Sequence, residues 1–298
     1  MTHVATLIGN PRARSLGQTL VRRASDLLPG VAEVHWLDND VAADILFTPE
    51  PGFDASELAT DLIEALAGDE IDAVVQPAAN RRKRLFLADM DSTIIGQECI
   101  DELADFAGLK AHVAAITERA MRGEIAFEPA LRERVALLKG LPITVIDETI
   151  ATRITLTPGA KTLVRTMRAN GAYCALVSGG FTAFTAKVAA MVGFNENRAN
   201  ILHTASGALA GTVAEPILGR EAKLAALREL RDARGLAHWQ TLAVGDGAND
   251  LAMLGEAGLG VAFHAKPAVA AAAHARIDHS DLTALLYLQG YRRSAFVE

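Results

Sequence analysis

Two aspartates one residue apart, Asp89 and Asp91, stand at the end of the apolar run Leu85-Phe86-Leu87-Ala88 and are followed by Ser92-Thr93. A short apolar run that stops at polar, turn-forming residues reads as a strand buried on both faces, as found inside parallel sheets. Ligands of open α/β sheets collect at the carboxyl ends of such strands, which is where the pair would sit. If the backbone stays extended, the two-residue period turns both carboxylates to one side, and like charges that close are costly without a cation. The stretch therefore asks for a metal. Asp-x-Asp is also common turn chemistry, so the weight falls on residues further along the chain.

Three further segments carry polar groups to strand ends or a helix start. Val177-Ser178-Gly179-Gly180 closes one strand and opens a helix, presenting a hydroxyl and backbone N–H groups to an anion with the helix dipole assisting. Gly245-Asp246-Gly247-Ala248-Asn249-Asp250 closes another and brings two more carboxylates. Lys223, at the start of its helix, offers a compact cation to a phosphoryl oxygen. Each has a plain structural explanation alone, as a glycine turn, an Asx turn or a solvated lysine. Four in this order are harder to explain that way.

These segments match, in order, the four motifs of the haloacid-dehalogenase-like phosphatases, and the match covers roughly residues 85–288. Within that superfamily the local residues resemble the phosphoserine phosphatases. The resemblance implies an aspartyl-phosphate mechanism with Asp89 as nucleophile and Asp91 as general acid, then base. It implies Mg2+ held by the Asp89 carboxylate, the Asp91 backbone carbonyl and Asp246. Ser178, the Gly179 amide and Lys223 would hold the phosphoryl oxygens, with Gly180 in support and Asn249 among the substrate-binding residues. Asp250 would orient Lys223 or a metal-bound water. The division of labour has a physical basis: a carboxylate approaching a dianionic phosphate needs charge neutralised by a hard, oxygen-liganded cation, and the departing alkoxide needs a proton.

Substrate choice rests on residues beyond the nucleophile. Glu98 and Arg134 match positions that, in the phosphoserine phosphatase family, meet the substrate ammonium and carboxylate, the second a bidentate pairing suited to guanidinium. Met121 and Phe127 match positions lining the same pocket. Arg132 falls outside the matched position. The implied substrate is O-phospho-L-serine, hydrolysed to L-serine and phosphate as the last step of L-serine biosynthesis. Another small phosphomonoester would leave the mechanism unchanged. A reading as an amino-acid sensor has no need for Asp89, Asp91, Lys223 and Asp246 together.

The elements that must position these groups read as α/β. Four helical segments, 98–106, 113–121, 127–138 and 142–150, form an insertion over about residues 96–155, a natural cap over the first catalytic strand. Strands at 173–177, 241–244 and 260–263 then alternate with helices at 158–169, 182–192, 223–231, 251–257 and 268–273, and a final helix starts at Asp281. That alternation implies a Rossmann-like, mostly parallel sheet. Segments 201–204 and 209–212 look like a hairpin at its edge. The catalytic unit thus spans 85–298. Residues 1–80 read as a small α+β unit of order β-α-β-β-α-β. This order resembles ACT-type domains, which bind amino acids or mediate dimer contacts, so an amino-acid effector or a homodimer is expected there if the unit is more than structural. In the connecting stretch 77–84, the basic run Arg81-Arg82-Lys83-Arg84 ends about 16 Å before the carboxylates at ~3.3 Å per residue, at the wrong end of the sheet, and reads as a solvated boundary.

Composition bounds the partners. Apolar residues make up 50% of the 298 and charged residues 22%, and the net charge of −7 argues against nucleic acid or an anionic membrane. Cys99 and Cys174 read as free buried thiols in a reducing compartment. The N-terminus has no signal-peptide pattern and no run approaches a membrane span, so the cytoplasm is the expected location.

Overall fold

The computed structural model describes residues 1–298 except Ala32, Arg122 and Gly123, and except the side chains of Ala120 and Met121. The first 80 residues take the expected order: β1 (His3–Gly9), α1 (Gln18–Ser25), β2 (Glu33–Asp38), β3 (Ala42–Phe47), α2 (Ala55–Ala65) and β4 (Ile71–Pro77). Their sheet has the order β2-β3-β1-β4 with antiparallel neighbours throughout. Helix α2 starts where Asp54 accepts the N–H groups of Ser56 and Glu57, satisfying donors that a helix N-terminus leaves open. One face of this sheet buries Ala5, Leu7, Ile45, Phe47 and Val75 beneath α1 and α2.

The catalytic half begins with β5 (Leu85–Ala88), all four residues of which are buried. Next come the cap helices α3 (Cys99–Phe106), α4 (Lys110–Met121), α5 (Phe127–Leu137) and α6 (Thr144–Thr152). The chain returns through α7 (Ala160–Ala169), β6 (Tyr173–Phe181), α8 (Thr182–Val192), β7 (Glu196–Asn200), β8 (Leu202–Ala205), β9 (Ala208–Val213) and α9 (Arg220–Ala233). It ends with β10 (Thr241–Gly245), α10 (Leu251–Glu256), β11 (Leu259–Phe263), α11 (Pro267–Ala272), β12 (Ala275–Ile277) and α12 (Ala284–Leu288). The six-stranded sheet runs β12-β11-β10-β5-β6-β7 and every neighbouring pair is parallel. Helices cover both faces, which is why its central strands are almost wholly apolar.

Three sequence expectations need correction. The hairpin β8-β9 does not extend the main sheet; it forms its own two-stranded sheet and docks on the cap, where Gly140 N–H donates to Leu209 O and Leu209 N–H to Leu141 O. Strands β7 and β12 escaped the sequence reading, because Glu-Asn-Arg-Ala-Asn carries no apolar alternation and Ala-Arg-Ile is three residues long. The basic run is only half the solvated boundary expected, since Arg82 and Arg84 are exposed but Arg81 and Lys83 are drawn inward. Arg81 donates to both oxygens of the buried Asp44, to Thr6 Oγ1 and to the carbonyls of Tyr287 and Leu288, while Lys83 is buried with Nζ 2.7 Å from Trp239 O.

Those contacts join the two sheets. The second face of the N-terminal sheet, including Ile8, Ala42 and Val74, shares one apolar core with Tyr287 and Leu288 of α12. Gln76 Nε2 donates to Leu288 O, and Asp72 accepts the N–H groups of Asp278, His279 and Ser280. Truncating Arg81 would leave Asp44 buried without its cation, a loss of about 3 kcal/mol or more for a buried pair deprived of one partner. Arg81→Ala should therefore lower the unfolding free energy by about that amount in urea titration, whereas Arg12→Ala, an exposed control, should change it by less than about 0.5 kcal/mol.

Candidate active site

The carboxyl ends of the three central strands meet at one place. The main-chain N–H of Asp89, just past β5, donates to Val244 O on β10, so the ladder holds the first aspartate beside the loop that carries Asp246. Extended dihedrals persist at Asp89 and Asp91; the chain then turns through Ser92, whose φ of 55° is left-handed, and Ile95 N–H closes the loop onto Met90 O. Both carboxylates, with Asp246, line one cavity of about 330 Å3.

A buried ion cluster forms its floor. Lys223, in the first turn of α9 and 2% exposed, places Nζ 2.8 Å from Asp89 Oδ1 and 2.7 Å from Asp250 Oδ1. Asp250 is fully buried, and its second oxygen accepts the Gly247 N–H. Burial works to lower the Lys223 ammonium, but the Asp89 and Asp250 carboxylates outweigh it and leave its pKa raised. Asp89 is held well above the usual carboxylate range, by burial first and then by Asp250. Lys223 does not itself line the cavity; it reaches the site through Asp89. Of the two roles expected for Asp250, the observed contact is with the lysine.

Asp91 lies apart from that cluster. Its Oδ1 accepts the N–H of Cys99 at the start of α3, and burial, reinforced by Glu98, pushes its carboxyl up to about 7. Asp246 is pushed up to about 6 by burial, with Asp250 and Glu98 adding to it, and its Oδ1 accepts from Thr93 Oγ1. Oxygens of Asp89, Asp246 and Asp250 lie within 4.8 Å of one another, a hard-oxygen donor set with excess negative charge that suits a divalent cation.

The turn expected to hold an anion differs in detail from expectation. Strand β6 continues through Ser178-Gly179-Gly180 to Phe181, with irregular pairing to β7 past Val177, and α8 starts only at Thr182. Ser178 is buried and its Oγ accepts the Gly180 N–H. A Cβ at Gly180 would stand 3.0 Å from Asp91 Oδ2 and would crowd that carboxylate. The turn is held by Asn200, which sequence reasoning missed: its Nδ2 donates to Gly179 O and Leu218 O, and its Oδ1 accepts from Leu218 N–H. The unread strand β7 hid this residue.

The cap closes the cavity from above with Glu98, Thr117, Phe127, Leu131 and Arg134. Glu98 immediately precedes α3 and accepts from Ser92 Oγ at 2.8 Å; Arg134 is buried in α5, bonded to Ala130 O and Thr117 Oγ1. The Phe127 ring sits over Gly179 and Gly219, within 3.2 Å of where a Cβ on either would lie. Asn249 lines the cavity, as does Lys266, a cation that no motif had singled out. Arg132 points elsewhere and pairs with Glu215. Met121 ends α4, and its side chain lies outside the described residues.

The chain belongs to the haloacid dehalogenase-like hydrolases, whose family model matches residues 86–255. It is 39% identical to a phosphoserine phosphatase of Mycobacterium tuberculosis over 98% of this chain and 72% of that one. A HAD-family hydrolase from Salmonella enterica serovar Typhi superposes with a TM-score of 0.84 at 29% identity, covering 96% of this chain and 98% of its own. A substrate-bound phosphoserine phosphatase complex matches at 40% identity and TM-score 0.65, covering 69% of this chain and 98% of that one.

Gly245 gives the site a direct test. A Cβ there would lie 2.3 Å from Asp250 Cγ, and the buried aspartate has nowhere to retreat. Gly245→Ala should displace Asp250, lower the melting temperature by several degrees, and weaken divalent-cation binding by about tenfold or more in calorimetry.

Proposed function

We propose that the protein is a Mg2+-dependent phosphatase acting on O-phospho-L-serine through a phosphoryl-aspartate at Asp89. The observation that carries this reading is one cavity with Asp89, Asp91 and Asp246 on its floor and a carboxylate and a guanidinium, Glu98 and Arg134, on its roof. The relatives support it, being phosphoserine phosphatases themselves. Asp89, Asp246 and the backbone carbonyl of Asp91 would hold Mg2+, with hard oxygen donors alone. When bound, the cation supplies charge neutralisation between an attacking carboxylate and an anionic phosphoryl group.

The chain's own groups divide the remaining work. Lys223 fixes Asp89 by its Oδ1, and Asp250 fixes Lys223, so the nucleophile approaches phosphorus in one orientation. As the phosphorus–oxygen bond to serine breaks, Asp91 gives its proton to the departing oxygen; a carboxyl pushed up to about 7 retains one near neutrality. A water then attacks the phosphoryl-aspartate, Asp91 takes the water's proton, and Asp89 returns as a free carboxylate with phosphate released. Ser178 and the Gly179 amide bind the phosphoryl oxygens as charge spreads over them, with Gly180 keeping the turn close and Asn249 at the rim. Glu98 receives the substrate ammonium and Arg134 its carboxylate, and the Phe127 ring shields the exchange from water. We place the reaction in the cytoplasm; the free, buried thiols of Cys99 and Cys174 support that placement.

With phosphoserine and Mg2+, phosphate release should be readily measured, should stop on chelation, and should fall on the order of 10³-fold or more in Asp89→Asn. Robust turnover by that variant would sink the nucleophile assignment. Glu98→Gln and Arg134→Lys should each raise KM for phosphoserine by about 10- to 100-fold, the loss of one charge-assisted contact, while hydrolysis of p-nitrophenyl phosphate changes little. Equal losses on both substrates would remove the amino-acid pocket from the assignment.

A further inference from the structure

A second cavity, of about 350 Å3, lies behind the cap hinge and shares no lining residue with the candidate active site. Chain enters the cap through residues 94–97 and leaves through 154–157, and the two crossings are paired: Gly96 N–H donates to Thr155 O and Thr157 N–H to Ile94 O. The cavity is walled on this side by Ser92, Gly96 and Thr155.

Its other walls come from both halves of the molecule. Arg12 reaches it from the N-terminal unit, and among the described residues its guanidinium has no carboxylate partner. His264 and His279 line it from the loops after β11 and β12. The one acidic lining residue, Asp281, spends Oδ1 on the N–H and hydroxyl of Thr283. Ser280 is 2% exposed, and its Oγ is buried without a hydrogen-bond partner among the described residues. A buried hydroxyl left so is costly unless something in the cavity meets it. Leu156, Pro158 and Phe263 complete the wall with apolar surface.

Two features hold this wall in a defined shape. His264 holds a φ of 45°, a left-handed conformation that turns the chain sharply after β11. The loop carrying His279 and Ser280 is gripped by Asp72 of the N-terminal sheet, which takes the loop's backbone N–H groups, and Ser280 O lies 2.8 Å from His264 Nε2, so the side chains of this wall are held in place.

We propose that this cavity binds a small organic carboxylate and that its occupancy adjusts the active site through the hinge. The Arg12 guanidinium and the hydroxyl groups select an oxyanion, and the apolar wall selects one with a short carbon body. The volume admits a molecule of on the order of ten non-hydrogen atoms, since a water in the liquid takes about 30 Å3. Ser92 supplies the coupling: it lines this cavity, while its Oγ donates to Glu98 in the other.

Calorimetric titration of the full chain with malonate, in Mg2+, tests the site. Binding is expected in the wild type and should weaken about tenfold or more in both Arg12→Ala and Ser280→Ala, with malonamide giving no heat. Absence of malonate binding, or equal affinity in all three proteins, overturns the site. Inorganic phosphate binding that is as tight and lost in the same variants overturns the choice of a carboxylate. The binding arm stands independently of the phosphatase reading. A second arm rests on that reading: saturating malonate should shift KM for phosphoserine by about threefold or more in the wild type and not in the two variants. An unchanged KM overturns the coupling.

Discussion

The structure depends most on the buried lysine between two aspartates. Lys223, Asp89 and Asp250 are all nearly inaccessible, and each charge is tolerable there only because the others are present. Taking away the ammonium would leave two carboxylates facing each other in a low-dielectric site. Their elements are thereby tied together: the ends of β5 and β10 and the start of α9 must converge for the cluster to exist. Gly245 is glycine for the same reason, because the Asp250 side chain fills the space a Cβ would need. The cluster leaves Asp89 oriented and Asp91 outside it, so two carboxylates one residue apart experience different surroundings. Burial raises both pKa values, but one carboxylate is locked to a cation while the other is bonded to a helix N-terminus.

Above this floor the cap has a different character. It is attached through two paired crossings, and its contributions to the cavity are long side chains on α3, α4 and α5. Arg134 is buried without an ion-pair partner within bonding distance among the described residues, and burial lowers its pKa. Nearby Asp101 has a buried Oδ1 with no partner among the described residues and a pKa raised by burial and Glu98. The roof thus has unpaired charge of both signs, where the floor has an excess of carboxylate. A zwitterionic ligand, with an ammonium for Glu98 and a carboxylate for Arg134, fits that incompleteness.

The N-terminal unit bears on the site indirectly. Its sheet is covered by helices on one face and by the catalytic half on the other, with only the edge strand β2 partly exposed. The Arg81–Asp44 pair and the Asp72 carboxylate bind it to α12 and to the loop after β12. That loop and Arg12 meet behind the two crossings into the cap, which makes the N-terminal sheet part of the frame on which the cap is mounted.

Much of this was legible in the residues alone. An apolar strand ending in Asp89 and Asp91, and a glycine-rich acidic turn ending in Asp250, declare their places at strand ends locally, because strand burial and turn chemistry are properties of short segments. The βαββαβ order, the cap helices and the central strands follow from periodicity in the same way. Tertiary structure alone decided what depends on distant partners. Arg81 and Lys83 looked like a solvated run, yet they are buried because Asp44 and the carbonyls of residues 239, 287 and 288 happen to meet them. Asn200 lies in a polar strand with no pattern to reveal it, and its role exists only because residues 179 and 218 fold against it. The hairpin, read as a sheet edge, found its partner in the cap. Local pattern specifies which groups are available for chemistry, whereas burial, pairing and pKa belong to contacts between segments far apart in the chain.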